Sequence, residues 1–285
     1  MEYAELYGIG REKLKAAGID ECDNDARLLL EFVCDTDRAT LLSHPERSVS
    51  SEEEERFLSF IERRAARIPL QHLTGTTCFM GLDFKVNENV LIPRFDTEIL
   101  VEEALKYRND GDRILDICTG SGCILISLLK YSNGCEGLGV DISKDALEVA
   151  TQNAEAILSD KEDETSFSFI HSDLYENVSG KFDIIVSNPP YIPTDVIDSL
   201  MPEVKDHEPI IALDGKNDGL WFYERIIERI PDFLSPGGHV LFEIGYDQGE
   251  AVMKLLNDRG FTETEVVKDY AGNDRVVKGR LPVFR

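Results

Sequence analysis

The chain has 285 residues, 42% of them hydrophobic and 30% charged, enough for one large or two ordinary domains around a buried core. Its 55 acidic and 30 basic residues leave a formal net charge of −25, which disfavours the counterion-releasing grip of a non-specific DNA binder and fits simple solubility or a saline host equally well. The N-terminus MEYAELYGIG has early acids and no apolar core segment, and no apolar run approaches the roughly 20 residues of a membrane span, so a cytoplasmic protein with no membrane partner is expected.

Residues 1–68 read as a small helical domain. DNDARLLLEFVCD sets Ala26, Leu29, Leu30 and Val33 at helical spacing, and SEEEERFLSFIERRAARI does the same with Phe57, Leu58, Ile61 and Ala65. Ser50 or Ser51 is placed to cap the second helix, whose glutamate run suits a helix start. Residues 69–93 alternate apolar and polar positions around Gly81 and an NEN turn, which predicts a β-hairpin linker.

From residue 94 to 285, after a helix in TEILVEEALKYR, strand and helix patterns alternate. Strands are expected in RILDIC, EGLGVDI, SFSFIHSD, FDIIVSN, GHVLFEIG, TETEVVKD and DRVVKGRLP, with helices such as GCILISLLKY, SKDALEVATQNAEAI and LWFYERIIERIPDFL between most of them. That alternation implies an α/β, mostly parallel doubly wound sheet. Only the short YAGN turn joins the last two strands, so they should pair antiparallel at one edge. The six cysteines form no C-x-x-C pair and have no histidine cluster beside them, so free thiols and no metal are expected.

Three strand ends carry the chemistry. ILDICTGSGCILISLL is a strand, a glycine turn and a helix; Gly120 and Gly122 let the backbone approach a ligand near free helical N–H groups. Asp116 precedes the turn, where it suits a positively charged amine or hydrogen bonds to the turn itself. Asp141 ends the next strand about 20 residues on, the place of a ribose-binding carboxylate in doubly wound sheets. Asp173 ends the third strand, suited to an adenine amino group, with Leu174 beside it to cover the ring. Each feature alone also fits a tight turn or a helix cap; together they favour a nucleoside-bearing cofactor.

The fourth strand ends in SNPPY. Asn188 Oδ1 and the Pro189 carbonyl are two acceptors suited to the two hydrogens of a planar –NH2 group. Pro190 restrains Pro189, and Tyr191 is placed to wall a flat group. Without context an Asn-Pro turn explains the stretch as well; after DICTGSG, VDIS and HSD in that order it does not.

DICTGSG, VDIS and NPPY resemble the seven-stranded, Rossmann-like methyltransferases that use S-adenosylmethionine on planar amino groups. PLQHLTG, GLDFKVNENVLIPRFDTEILVEEAL, HEPIIALDGKNDGL, LFEIGYDQG and DYAGNDRVVKGR further resemble the peptide chain release factor N5-glutamine methyltransferases. That resemblance implies methylation of the glutamine in the Gly-Gly-Gln motif of class 1 release factors, the substrate partner, with S-adenosylhomocysteine as the other product. Carried over by position, Cys118, Thr119, Gly120, Ser121, Gly122 and Asp141 hold the cofactor, with Asp116, Asp173, Leu174 and Asn188 contributing. Asn188, Pro189, Pro190 and Tyr191 hold the amide. The helical segment is expected to dock the release factor. Three positions depart from the family pattern: Phe95 and Asp96, in PRFDTE where PRPETE is usual, and Cys118, where glycine is common. An N6-adenine DNA or RNA methyltransferase would use the same NPPY, and the acidic charge and lack of a basic recognition segment argue against it. A non-catalytic cofactor-binding scaffold would have no need of NPPY.

Overall fold

The computed structural model of the chain describes residues 1–161 and 164–283. Met1–Thr76 together with Met201–His207 form one unit, and Thr77–Leu200 with the chain from Glu208 onward form the other.

The first unit is helical: α1 (Tyr3–Ala16), α2 (Cys22–Val33), α3 (Arg38–Ser43), α4 (Ser51–Ala65) and α5 (Leu70–Thr74). Leu6, Leu29, Leu30, Phe57 and Ile61 are fully buried, so the apolar stripes of α1, α2 and α4 meet in one core. Ser50 is the N-cap of α4, with a reciprocal pair of bonds: Glu53 N–H donates to Ser50 Oγ at 3.2 Å and Ser50 N–H to the Glu53 carboxylate at 2.7 Å. The Arg64 side chain, only 9% exposed, donates to Asp25 at 2.7 Å and to Glu203 at 3.1 Å, which ties the 201–207 segment into this unit.

The second unit begins with a hairpin, β1 (Thr76–Phe79) and β2 (Leu82–Lys85), turned at Met80 and Gly81, both with positive φ. A helix, α6 (Phe95–Leu105), leads into the sheet. The seven strands are β3 (Arg113–Ile117), β4 (Glu136–Asp141), β5 (Ser166–His171), β6 (Phe182–Ser187), β7 (Leu234–Glu243), β8 (Thr262–Lys268) and β9 (Asp274–Arg280), in the order β5-β4-β3-β6-β7-β9-β8. All seven expected strands are present. The last two pair antiparallel as expected, and β9 inserts between β7 and the edge strand β8.

Alternate residues of the central strands go to two separate cores. Ile114, Ile184, Val186 and Leu241 pack with α6, α7 (Cys123–Lys130) and α8 (Lys144–Ile157). Leu115, Ile117, Ile185, Val240 and Phe242 pack on the other face with the helices Trp221–Phe233 and Gly249–Asp258. Covering both faces is why these strands read as unbroken apolar runs. The strand order reverses between β3 and β6, so the carboxyl ends of these neighbours flank a crevice. No helix among the described residues is long and apolar enough to cross a membrane.

Truncating Arg64 strands the buried Asp25 carboxylate and leaves Glu203 to Arg67 alone. Arg64→Ala should therefore destabilise the helical unit by about 3–5 kcal/mol, measured by urea unfolding. A loss no larger than that of an exposed arginine would show that the Asp25–Arg64–Glu203 cluster is not formed.

Candidate active site

β3 ends at Ile117 and the chain turns sharply. Cys118, Gly120 and Gly122 all adopt positive φ, at 60°, 54° and 80°. Cys118 thus holds the left-handed conformation that favours glycine, at a cost of roughly 1–2 kcal/mol for a residue with a Cβ. The two glycines serve different ends. A Cβ on Gly122 would stand 2.7 Å from Ile126 Cδ1 and 3.2 Å from Ala150 Cβ, so this glycine lets the turn close onto α7 and α8. A Cβ on Gly120 would meet nothing within 4 Å, because here the backbone faces open space.

The open space is a cavity enclosing about 250 Å³ at the carboxyl ends of the parallel strands. Cys118, Thr119, Gly120, Ser121, Asp141, Asp173, Leu174, Asn188 and Pro190 line it. Of the remaining residues expected at the site, Gly122 is the packing glycine just described, and Asp116, Pro189 and Tyr191 are not in the lining.

Asp141 is held by two backbone donors. Gly120 N–H reaches Oδ2 and Ser143 N–H reaches Oδ1, both at 2.9 Å, while burial pushes its carboxyl pKa up against these bonds. Each oxygen keeps a further lone pair, the requirement for gripping a pair of ribose hydroxyls. Asp116 instead lies fully buried under the turn, its Oδ2 accepting from the Thr119 hydroxyl at 2.6 Å and its Oδ1 without a partner. Of its two expected tasks, the structure displays the brace of the turn.

Asp173 is already engaged. Arg225 donates to both of its oxygens, at 3.1 and 3.2 Å, and the guanidinium lies 4.5 Å from the Trp221 ring centroid. An adenine amino group would have to share this carboxylate with Arg225. Leu174 is buried at φ 50°, with its carbonyl accepting from Ser172 Oγ at 2.8 Å.

At the end of β6, Ser187 Oγ donates to the Ile117 carbonyl at 2.6 Å and locks the two strand ends together. Asn188 is half-buried, with Nδ2 3.5 Å from Thr97 Oγ1 on α6. Pro189 and Pro190 are buried. Tyr191 was expected as a wall over a flat group; its hydroxyl instead donates to Glu243 Oε1 at 3.2 Å, and its carbonyl accepts from Gln248 Nε2 at 3.0 Å. The segment around Leu213–Gly219 closes over it: Ile192 N–H donates to Leu213 O, Gly215 N–H donates to Ile192 O, and a Cβ on Gly219 would overlap the Tyr191 carbonyl at 2.1 Å.

Thr97, Glu208, Arg225, Glu243 and Trp221 belong to this neighbourhood, and residue patterns did not single them out. Glu243 and Thr97 lie inside the blocks EIG and DTE, where an acid or hydroxyl at a strand or helix end was the available signal. Arg94, from the same PRFDTE block, lines the cavity and places Nη2 2.7 Å from both oxygens of the buried Glu208. No group of His, Cys, Asp and Glu that could hold a metal occurs among the described residues.

Family profiles match twice: the PrmC N-terminal domain over residues 5–75 and the methyltransferase small domain over residues 94–201. Over 272 residues the chain is 43% identical to the release factor glutamine methyltransferase of Caulobacter vibrioides, covering 94% of this chain and 93% of that one. It is 44% identical over 283 residues to the protein of the same name from Agrobacterium fabrum, covering 97% and 96%. A methyltransferase structure from Pyrococcus furiosus superposes with a TM-score of 0.55 at 19% identity, covering 78% of this chain and all of that one, which supports the fold.

Burial pushes the Asp116 carboxyl up to about 7, against the Thr119 bond. The fold thus favours its protonated form, a contribution that is full below the ordinary aspartate range and lost as pH rises through about 7. Relative to Asp116→Asn, which does not titrate, the stability of the parent protein should fall by roughly 4 kcal/mol between about pH 4 and about pH 8. Urea unfolding across a buffer series measures this difference, and a flat difference would mean that Asp116 titrates as in the unfolded chain.

Proposed function

This chain belongs to the release factor glutamine methyltransferases, and we propose that it methylates the side-chain nitrogen of the glutamine in the Gly-Gly-Gln motif of class 1 release factors, with S-adenosylmethionine as donor. The observation that carries this reading is the meeting of Asp141, the glycine turn and Asn188 in one cavity at the strand-order reversal. The residues present suit such a cofactor: an open backbone at Gly120, a carboxylate with spare lone pairs at Asp141, and an apolar cover at Leu174. Asp173 and the Arg225 guanidinium act together at the adenine end.

The sulfonium of the bound cofactor supplies an activated methyl group. The chain must do the rest. An amide nitrogen is a weak nucleophile because its lone pair is delocalised into the carbonyl. Asn188 Oδ1 and the Pro189 carbonyl accept its two hydrogens and strengthen their hold as positive charge develops on nitrogen. Pro190 limits the motion of Pro189, and the anchored Tyr191 holds the loop from behind. Holding the amide in line with the methyl group is worth roughly 7–11 kcal/mol of the barrier. The extra proton leaves after transfer, so a dedicated general base is not required. The helical unit, which carries the PrmC N-terminal match, is the proposed docking element for the release factor.

Labelled S-adenosylmethionine should label a class 1 release factor and not its glutamine-to-alanine variant; label appearing on DNA or RNA instead would assign the chain to exocyclic-amine methylation. Asn188→Ala should lower kcat by about 10²–10³-fold while cofactor binding, measured by calorimetry, survives. Near-normal turnover in that variant would remove Asn188 from the mechanism.

A further inference from the structure

Three stretches that resemble the family, PRFDTE, EIGYDQG and DYAGNDR, each contain an exposed aromatic residue that the proposed reaction does not use. Phe95 is 78% exposed, Tyr246 71% and Tyr270 88%. They are far apart in the chain, and one mostly buried guanidinium gathers them. Arg275 holds Asp96 at 3.1 Å and Asp269 at 3.2 Å, and it donates to the Ile244 carbonyl at 3.4 Å. Asp96 follows Phe95, Asp269 precedes Tyr270, and Ile244 stands two residues before Tyr246. The Tyr270 hydroxyl also reaches Glu102, further along α6 from Phe95, at 3.0 and 3.2 Å from its two oxygens.

This surface continues into the rim of the cavity. Arg94 and Thr97, on either side of Phe95 and Asp96, line the cavity. Gln248 donates to the Tyr191 carbonyl and accepts from Gly245 N–H at 2.9 Å, so the turn that carries Tyr246 is fastened to the NPPY segment. A glutamine inside a cavity of about 250 Å³ leaves the rest of its protein outside, against this rim. Aromatic rings grouped at a surface mark protein contacts, where they supply much of the binding energy. The charge fits one kind of partner. Arg275 is taken up by Asp96 and Asp269, and Lys268 by Asp274. Glu102 and Asp247 stay exposed and form no ion pair among the described residues. Aromatic faces beside such carboxylates favour lysine and arginine side chains.

We propose that Phe95, Tyr246 and Tyr270 seat the release factor beside its glutamine loop, through a lysine- and arginine-rich face of that protein. The identity of the partner rests on the reaction proposed above.

Phe95→Ala, Tyr246→Ala and Tyr270→Ala truncate exposed side chains and should leave the urea midpoint nearly unchanged. Each should raise the KM for a class 1 release factor about 10-fold, and the triple variant about 10²-fold, with kcat and the KM for S-adenosylmethionine unchanged. Glu102→Gln combined with Asp247→Asn should flatten the rise of the release-factor KM with salt. Parent-like KM in the triple variant, or a loss confined to kcat, overturns the inference and leaves the reaction standing. So does a parent dimer that the triple variant turns into a monomer at unchanged KM, because the surface then takes a second copy. A parent KM indifferent to salt overturns the cationic face. Should the triple variant not fold, the single variants decide. If the parent methylates no release factor, the reaction fails on its own, and calorimetry with S-adenosylhomocysteine present reads the seat. Release-factor binding that the parent shows and the triple variant loses supports it, and no binding by the parent removes it.

Discussion

The site depends on two parallel strands ending side by side where the sheet changes direction. β3 and β6 are in register to Ile117 and Ser187, and the Ser187 hydroxyl bonded to the Ile117 carbonyl joins those ends inside a fully buried layer. From one end springs the glycine turn, from the other the Asn188 amide. Because both strands are covered on both faces, neither end can shift without disturbing two cores. The crevice is therefore a rigid place for a reaction whose main requirement is alignment.

Around that crevice the chain adopts conformations that side chains rarely hold. Cys118, Leu174 and Lys216 hold positive φ without being glycine, and all three line the cavity. Such strain persists only where surrounding structure over-determines it. Here Thr119 N–H bonded to Val140 O, Ser172 Oγ to Leu174 O and the Asp214 carboxylate on Lys216 supply that constraint. The buried acids follow the same logic. Asp141 is met by backbone N–H groups, while Glu243 is met by the Tyr191 hydroxyl and Asp116 by the Thr119 hydroxyl, each with its other oxygen unpaired.

The strands were legible because their apolar runs and glycine or aspartate ends are local features, and so were α2 and α4, with their amphipathic stripes. The helix Gly249–Asp258 was not. Nor was the place of residues 201–207, which join the helical unit through Glu203 and the arginines at 64 and 67, more than a hundred residues away in the chain. At the site, Asp141 and Asn188 were legible as polar residues closing apolar strands. Asp173 was legible too, but not its ion pair with Arg225, since no local pattern links positions 52 residues apart.

By itself, the sequence determined the alternating α/β order, the antiparallel end of the sheet, the glycine turn and the residues of the NPPY clamp, since each rests on spacing within about 10–20 residues. Only the tertiary structure decided which of those side chains share a cavity and what stands behind them. The Tyr191 hydroxyl is tied to Glu243, and Asp116 braces a turn from below. The reason is physical: the orientation of a buried polar group is set by whichever donors and acceptors packing brings within about 3 Å, and for Asn188 and Tyr191 those partners come from α6 and β7, distant in the chain and adjacent only once the sheet has formed.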